Sequence, residues 1–98
     1  MTLDSLRLYC DVVRLRSFSR AAAASGVSQS AASQAIQQLE AELHATLLDR
    51  TRRPLEPTAE GRGFYEAART LLAGFDKTRA DLAASQQRVE GTVRVAAI

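Results

Sequence analysis

Ninety-eight residues suit a single domain. Hydrophobic side chains make up 46% of the chain and charged ones 24%, a soluble globular composition rather than a disordered one. A lone cysteine, Cys10, and a lone histidine, His44, argue against an internal disulfide, a zinc cage, a Ser-His-Asp relay and a multi-histidine metal site. The start of the chain carries Asp4, Arg7 and Asp11 and lacks the apolar core of a signal peptide, and no run approaches a membrane span. A free cysteine on a helical pattern suits a reducing cytoplasm.

The net charge of +2 says little, but the choice of base says more: twelve Arg against one Lys. Arginine suits bidentate recognition of phosphate and bases. A GC-rich genome explains heavy Arg and Ala use equally well. Eighteen alanines and only two prolines, Pro54 and Pro57, predict a mainly helical fold with one break near residues 51–57.

The first predicted helix covers residues 3–15. Thr2 is its N-cap, Asp4 lies in its first turn, and Leu3, Leu6, Tyr9, Val13 and Leu15 recur at roughly helical spacing. A short second helix is expected over residues 20–25, with Ser19 as N-cap, Phe18 as a hydrophobic staple and Gly26 as the left-handed end. Val27 reads as a core plug in the turn. Ser28 caps a third helix over residues 29–43, whose buried stripe is Ala32, Ile36, Leu39 and Leu43. Two short helices joined by a glycine-containing turn of three or four residues form a helix-turn-helix.

Behind it, residues 47–50 and 55–57 read as two short strands around the basic turn Thr51-Arg52-Arg53-Pro54, which makes a wing. Thr58 caps a fourth helix running to about Arg88, roughly 45 Å at 1.5 Å per residue. Tyr65, Ala68, Leu72, Phe75 and Leu82 step along it as an apolar stripe, flanked by Phe64 and Leu71. A helix that outruns its own domain with such a stripe calls for a partner helix. Gly91 is expected to end it, and Thr92 to Ile98 reads as a strand with nothing to pair to, as though a longer protein continued.

The third helix carries the most informative feature. No charged residue occurs from Ala21 to Leu39. Opposite the buried stripe lie Gln29, Ser30, Ser33, Gln34 and Gln37. Such short hydroxyls and amides both donate to and accept from base edges, and glutamine bridges adenine bidentately. The backbone N–H groups after Ser28 suit a phosphate. The plainer reading, a neutral solvated face, loses ground behind a helix-turn-helix. Arg52 and Arg53 fit wing contacts to phosphate and the minor groove, against a solvated turn. Arg50, at a strand position, reads as mainly structural, paired to Asp49 or Glu56. Arg20 opens the second helix, where a cation opposes the dipole unless a phosphate is near; a solvated surface is equally consistent. His44 reads as a C-cap and not as a ligand.

The sequence resembles the N-terminal DNA-binding region of LysR-type transcriptional regulators over essentially its whole length. The residues that carry the resemblance are Ser17-Phe18-Ser19 with Ala21-Ala22, Val27-Ser28-Gln29, Ala31, Ser33, Ile36, Leu39-Glu40 and Leu43. They continue with Leu47-Leu48-Asp49-Arg50 and Leu55-Glu56-Pro57-Thr58-Ala59-Glu60-Gly61. The order and spacing are specific together, not singly. The chain departs from the family pattern at Ala31, where a hydroxyl is sometimes found, and at Gln34, where a base is common. His44 stands for the usual Gly, Leu48 for a frequent Phe and Pro57 for Leu.

The resemblance implies a mainly α fold: a winged helix-turn-helix at residues 1–58, a dimerisation helix at 59–89, and a hinge with the first strand of an effector domain at 90–98. It places residues matching Gln29, Ser30, Ser33 and Gln34 in the major groove, Ser28 near phosphate and Arg53 in the minor groove. It implies double-stranded DNA as partner, a homodimer through the linker helix, a tetramer in the longer protein, and no membrane. No cofactor is expected in this segment; a small-molecule effector is expected for the downstream domain. Two rivals remain: the similar winged helix of a molybdate-responsive regulator, and a winged helix used only for protein assembly. An enzyme is the least favoured reading, without paired acids, a metal cluster or a phosphate loop.

Overall fold

The structure, a computed structural model, describes residues 1–96, with side chains through residue 86. Its order is α1 (Leu3–Leu15), α2 (Phe18–Ser25), α3 (Gln29–Leu43), β1 (Leu48–Asp49), β2 (Glu56–Pro57) and α4 (Ala59–Ala96). The two strands pair antiparallel, Leu48 opposite Pro57 and Asp49 opposite Glu56. Three helices with this hairpin form a winged helix-turn-helix, and α4 leads away from it.

Local chemistry sets the helix ends. Thr2 and Ser5 form a reciprocal capping box at α1. Arg16 ends α1 in the left-handed region, at φ 55°. The N-cap of α2 is Ser17, whose Oγ accepts the Arg20 N–H at 3.2 Å, and not Ser19. The left-handed turn at Arg16 reverses the chain at once, so α2 starts two residues earlier than expected and Phe18 is its first residue. Gly26, at φ 70°, closes α2: its N–H reaches Ala23 O and the Val27 N–H reaches Ala22 O, a Schellman motif. That motif leaves Val27 43% exposed on the rim of a groove between α1 and α3, so it is not the expected core plug. Ser28 caps α3 through the Ala31 N–H, and His44 ends it at φ 53°.

The core gathers Leu8, Tyr9 and Val12 of α1, Ala21 and Ala22 of α2, Ala32, Ile36 and Leu39 of α3, and Leu47, Leu48 and Leu55 of the wing. Within α1, Leu8 and Val12 therefore replace the expected Leu3, which is exposed. A second, smaller cluster joins Leu6 of α1 to Ala68 and Leu72 of α4, with Cys10 and Phe64 against it. Burial pushes the Cys10 thiol pKa up, as befits a small packing group.

The α4 helix runs through Gly91 to Ala96, where a strand was expected from Thr92. No strand beyond the wing lies among the described residues, so local i to i−4 bonds are the available partners for these backbone groups. Ala97 and Ile98, the rest of the expected strand, lie outside the described residues. Among the described residues no helix is long and apolar enough to cross a membrane.

Candidate nucleic-acid interface

One open groove, about 430 Å³, runs between the start of α2, one side of α3 and the wing. Gln29, Ser33 and Gln37 line it from α3, Arg50, Arg53, Pro54 and Leu55 from the wing, and Arg16, Ser17, Phe18 and Ser19 from the α1–α2 junction. Among the described residues no carboxylate lines it. The groove on the other side of α3, by contrast, has Asp4, Asp11 and Glu42 in its wall. The two sides of α3 therefore differ in charge as well as in shape.

The helix geometry explains the grouping. At 100° per residue, Gln29, Ser33, Gln37, Ser30 and Gln34 fan over about 140° of α3, beside the stripe buried by Ala32, Ile36 and Leu39. Gln29 to Gln37 covers about 12 Å of axis, three to four base-pair steps. Ser28, Gln29, Ser30, Gln34 and Gln37 are exposed and Ser33 is half-buried. Ser30 and Gln34 lie further round the helix, outside the groove wall. The Ser28 hydroxyl serves as the cap of α3, which leaves its proton free to donate.

The arginines separate into distinct roles. Arg53 donates from Nη1 to the carbonyls of Arg50 (2.7 Å) and Arg52 (3.2 Å), which holds its guanidinium on the groove side without an acidic partner. Arg52 lies 3.5 Å from Asp49 and 3.9 Å from Glu56, so part of its charge is answered inside the wing. Hydrogen bonds from Thr51, with Arg52 nearby, hold the Asp49 carboxyl below its ordinary pKa. Arg50 pairs with Glu40 of α3 at 3.0 Å, not with Asp49 or Glu56, because its side chain turns under the wing toward α3. Arg20 is exposed on α2 and outside the groove.

Arg16, Ser17, Ser19 and Pro54 are groove residues that sequence reading did not nominate as contacts. Arg16 sits where two helix ends meet: the C-terminus of α1 favours its charge and the start of α2 opposes it, so the helix dipoles carry no signal of a contact there.

The stripe on α4 divides. Ala68 (1% exposed) and Leu72 (8%) pack on Leu6 of their own chain and are not free for a partner. Tyr65 is half-buried against the main core. Leu71 (62%), Phe75 (41%) and Leu82 (57%) remain exposed. The register is responsible: α1 lies across the first turns of α4 and covers the row at 65, 68 and 72. The described residues include no cluster of His, Cys, Asp and Glu able to hold a metal.

Residues 3–62 match the profile of the lysR family of bacterial regulatory helix-turn-helix proteins, and the chain belongs to that family. A putative transcriptional regulator of Pseudomonas aeruginosa is 40% identical over 93 residues, 95% of this chain and 30% of the relative. The regulator BenM of Acinetobacter baylyi is 38% identical over 95 residues, 97% of this chain and 31% of the relative. The chain thus spans about a third of the length of these relatives. Among solved structures, the BenM_DBD complex with catB site 1 DNA superposes with a TM-score of 0.83 at 36% identity, covering 93% of this chain and 95% of that one. Vibrio fischeri DarR in complex with DNA gives 0.83 at 30% identity, covering 89% of this chain and 30% of that one.

Proposed function

We propose that this chain is the DNA-reading part of a LysR-type transcriptional regulator, which binds an imperfect inverted repeat in duplex DNA as a dimer. The observation that carries the reading is the uncharged Gln29–Ser33–Gln37 ridge, facing one groove with Arg16 and Arg53 and no carboxylate. Helix α3 enters the major groove, where Gln29, Ser30, Ser33, Gln34 and Gln37 meet base edges. The α3 N-terminus at Ser28 and the bases Arg16 and Arg20 meet phosphate. The wing carries Arg53 into the flanking minor groove, with Arg52 beside it. DNA complexes of BenM_DBD and DarR, similar to this chain in fold and sequence, support DNA as the partner.

Two chains pair through the exposed Leu71–Phe75–Leu82 row of α4, which sets the spacing of the half-sites. Residues 1–58 act as the reader and 59–89 as the linker. Residues from 90 lead to an effector domain whose small-molecule ligand changes how dimers sit on DNA, and a tetramer forms in the longer protein. The chain acts in the cytoplasm, without a cofactor of its own and without catalysis.

The test is selection from a random duplex library, followed by a salt titration on the winner. Enrichment of an inverted repeat with a log–log salt slope of several units is the expected result. Weak binding without enrichment, lost in moderate salt, would overturn sequence reading and leave protein assembly as the role of the winged helix.

A further inference from the structure

The wing is too small to hold its own position. Each strand is two residues long, and an isolated hairpin of that kind is marginal in water. Leu47, Leu48 and Leu55 anchor it in the core, and its polar tie to α3 runs through one carboxylate, Glu40. Glu40 Oε2 accepts the N–H groups of Leu47 (2.7 Å) and Leu48 (3.3 Å), at the entry to β1. It also lies 3.5 Å from Arg50 Nη1, and Oε1 lies 3.0 Å from Arg50 Nη2. Charge-assisted bonds of this type are shorter and stronger than neutral ones. The Arg50 guanidinium in turn lies 5.6 Å from the centroid of the Phe18 ring, at the first residue of α2.

Arg50 also reaches the far side of the wing. Its carbonyl accepts from Arg53 Nη1 at 2.7 Å. One residue is therefore tied through its side chain to α3 and α2, and through its main chain to the arginine at the wing tip. Glu40 and Arg53 do not touch; an ion pair to the Arg50 guanidinium, the covalent frame of Arg50 and a hydrogen bond from Arg53 to the Arg50 carbonyl join them.

We infer that the Glu40–Arg50 pair is a positioning device, which fixes where Arg53 stands relative to the base-reading face of α3 and so sets which flanking sequence the wing accepts. This rests on the DNA-reading role proposed above. Glu40 and Arg50 act through Arg53, not by contact with bases.

A double-mutant cycle tests it on the duplex selected with the unaltered chain. Arg53→Ala is measured in three backgrounds: unaltered, Glu40→Gln and Arg50→Lys. The glutamine keeps an acceptor for the Leu47 N–H and the lysine keeps the charge, so both retain the fold; circular dichroism checks this. Arg53→Ala is expected to weaken binding about tenfold in the unaltered chain and about twofold or less in either altered background, the coupling of residues in one network. The preference for the flanking bases should flatten in the altered backgrounds while the preference under α3 persists. A merely structural role would weaken all sites together and leave the Arg53 effect at its full size. That additive result overturns the proposal. If the unaltered chain enriches no duplex, the DNA-reading role itself fails, and the two failures are told apart.

Discussion

The Tyr9 hydroxyl lies 3.0 Å from the carbonyl oxygen of Gly61, 52 residues away, and shares its single proton between that oxygen and Leu47 O at 2.9 Å. This fully buried phenol joins α1, the entry to the wing and the first turn of α4. The Phe64 ring meets the Tyr9 ring edge-on, with centroids 5.4 Å apart.

Replacing Tyr9 by Phe removes the shared bond without a cavity. Leu47 O keeps the Thr58 N–H at 3.2 Å, and Gly61 O keeps its place in the helix ladder. The cost is therefore about 1 kcal/mol, nearer a net hydrogen bond than an orphaned group. That is a fall of about 4–8 °C in Tm for a domain of this size. Burial also pushes the Tyr9 phenol pKa up. Its folded state holds the proton more tightly than the unfolded chain, so its contribution is complete below pH of about 10 and declines above it. The alkaline slope of Tm against pH should shrink in Tyr9→Phe.

Gly61→Ala should be far worse than a routine helix substitution. A Cβ there would lie 2.6 Å from the Tyr9 hydroxyl and closer still to the Leu47 carbonyl, a backbone atom that cannot swing aside. The expected cost lies at or above the top of the range of about 1–3 kcal/mol for overpacking. Gly63→Ala, with open space around it, serves as the control and should leave Tm level or raise it.

Gln29→Ala should relax sequence preference at one base position and cost about 1–3 kcal/mol on the selected duplex. Arg53→Ala should lower the salt slope by about one unit. Equal losses of Gln29→Ala on selected and random DNA would contradict base reading. An unchanged slope would remove Arg53 from the phosphate and groove contacts.

Arg7 and Asp76 form a two-pronged ion pair between α1 and α4, at 2.6 and 3.2 Å. The hydrogen bonds from Arg7 hold the Asp76 carboxyl below its ordinary pKa. The stabilisation is present above the usual carboxylate value of about 3.9 and is lost as pH falls through the lowered one. Tm curves of the unaltered chain and Asp76→Asn should therefore run apart at neutral pH and converge in acid. A gap that persists at low pH would mean that Asp76 acts through something other than its charge.

Leu82→Arg tests the pairing of α4. Leu82 is exposed, so the winged domain should keep its Tm. Sedimentation should show a shift toward monomer, and affinity for an inverted repeat should fall while that for one half-site holds. Unchanged sedimentation would place the dimer contact elsewhere.

The sequence was most legible where a second signal singles out the cap. The glycine turn at Gly26 favours Ser28 over Ser30, Thr2 precedes the first apolar repeat, and α1 and α3 lie at residues 3–15 and 29–43 as the pattern predicts. The start of α2 was ambiguous because Ser17 and Ser19 are both good caps; only the left-handed Arg16 decides between them, and nothing in its identity announces that conformation. The hydroxyl and amide face of α3 was visible because charge is missing from a long stretch. Glu40 stands in its motif with no role visible in the sequence, since its partners lie across a loop. The α4 stripe read as one surface, because periodicity shows that a row is apolar but not which of two neighbours covers it. Leu6 takes Ala68 and Leu72, and the exposed row follows from that.

Small residues of α4 itself form the seat of this helix. Gly61 has no side chain and Ala68 has no rotamers, so the seat of the helix has little give. From Gly61 to Gln86 the rod extends about 38 Å. A tilt of about 5° at the seat would swing that end by about 3.3 Å, the rise of one base pair. In the dimer proposed above, a lever with this ratio would turn a slight rocking at its fulcrum into a whole step along the DNA. On that reading, the stiffness of one glycine contact limits the tolerance with which two half-sites are gauged.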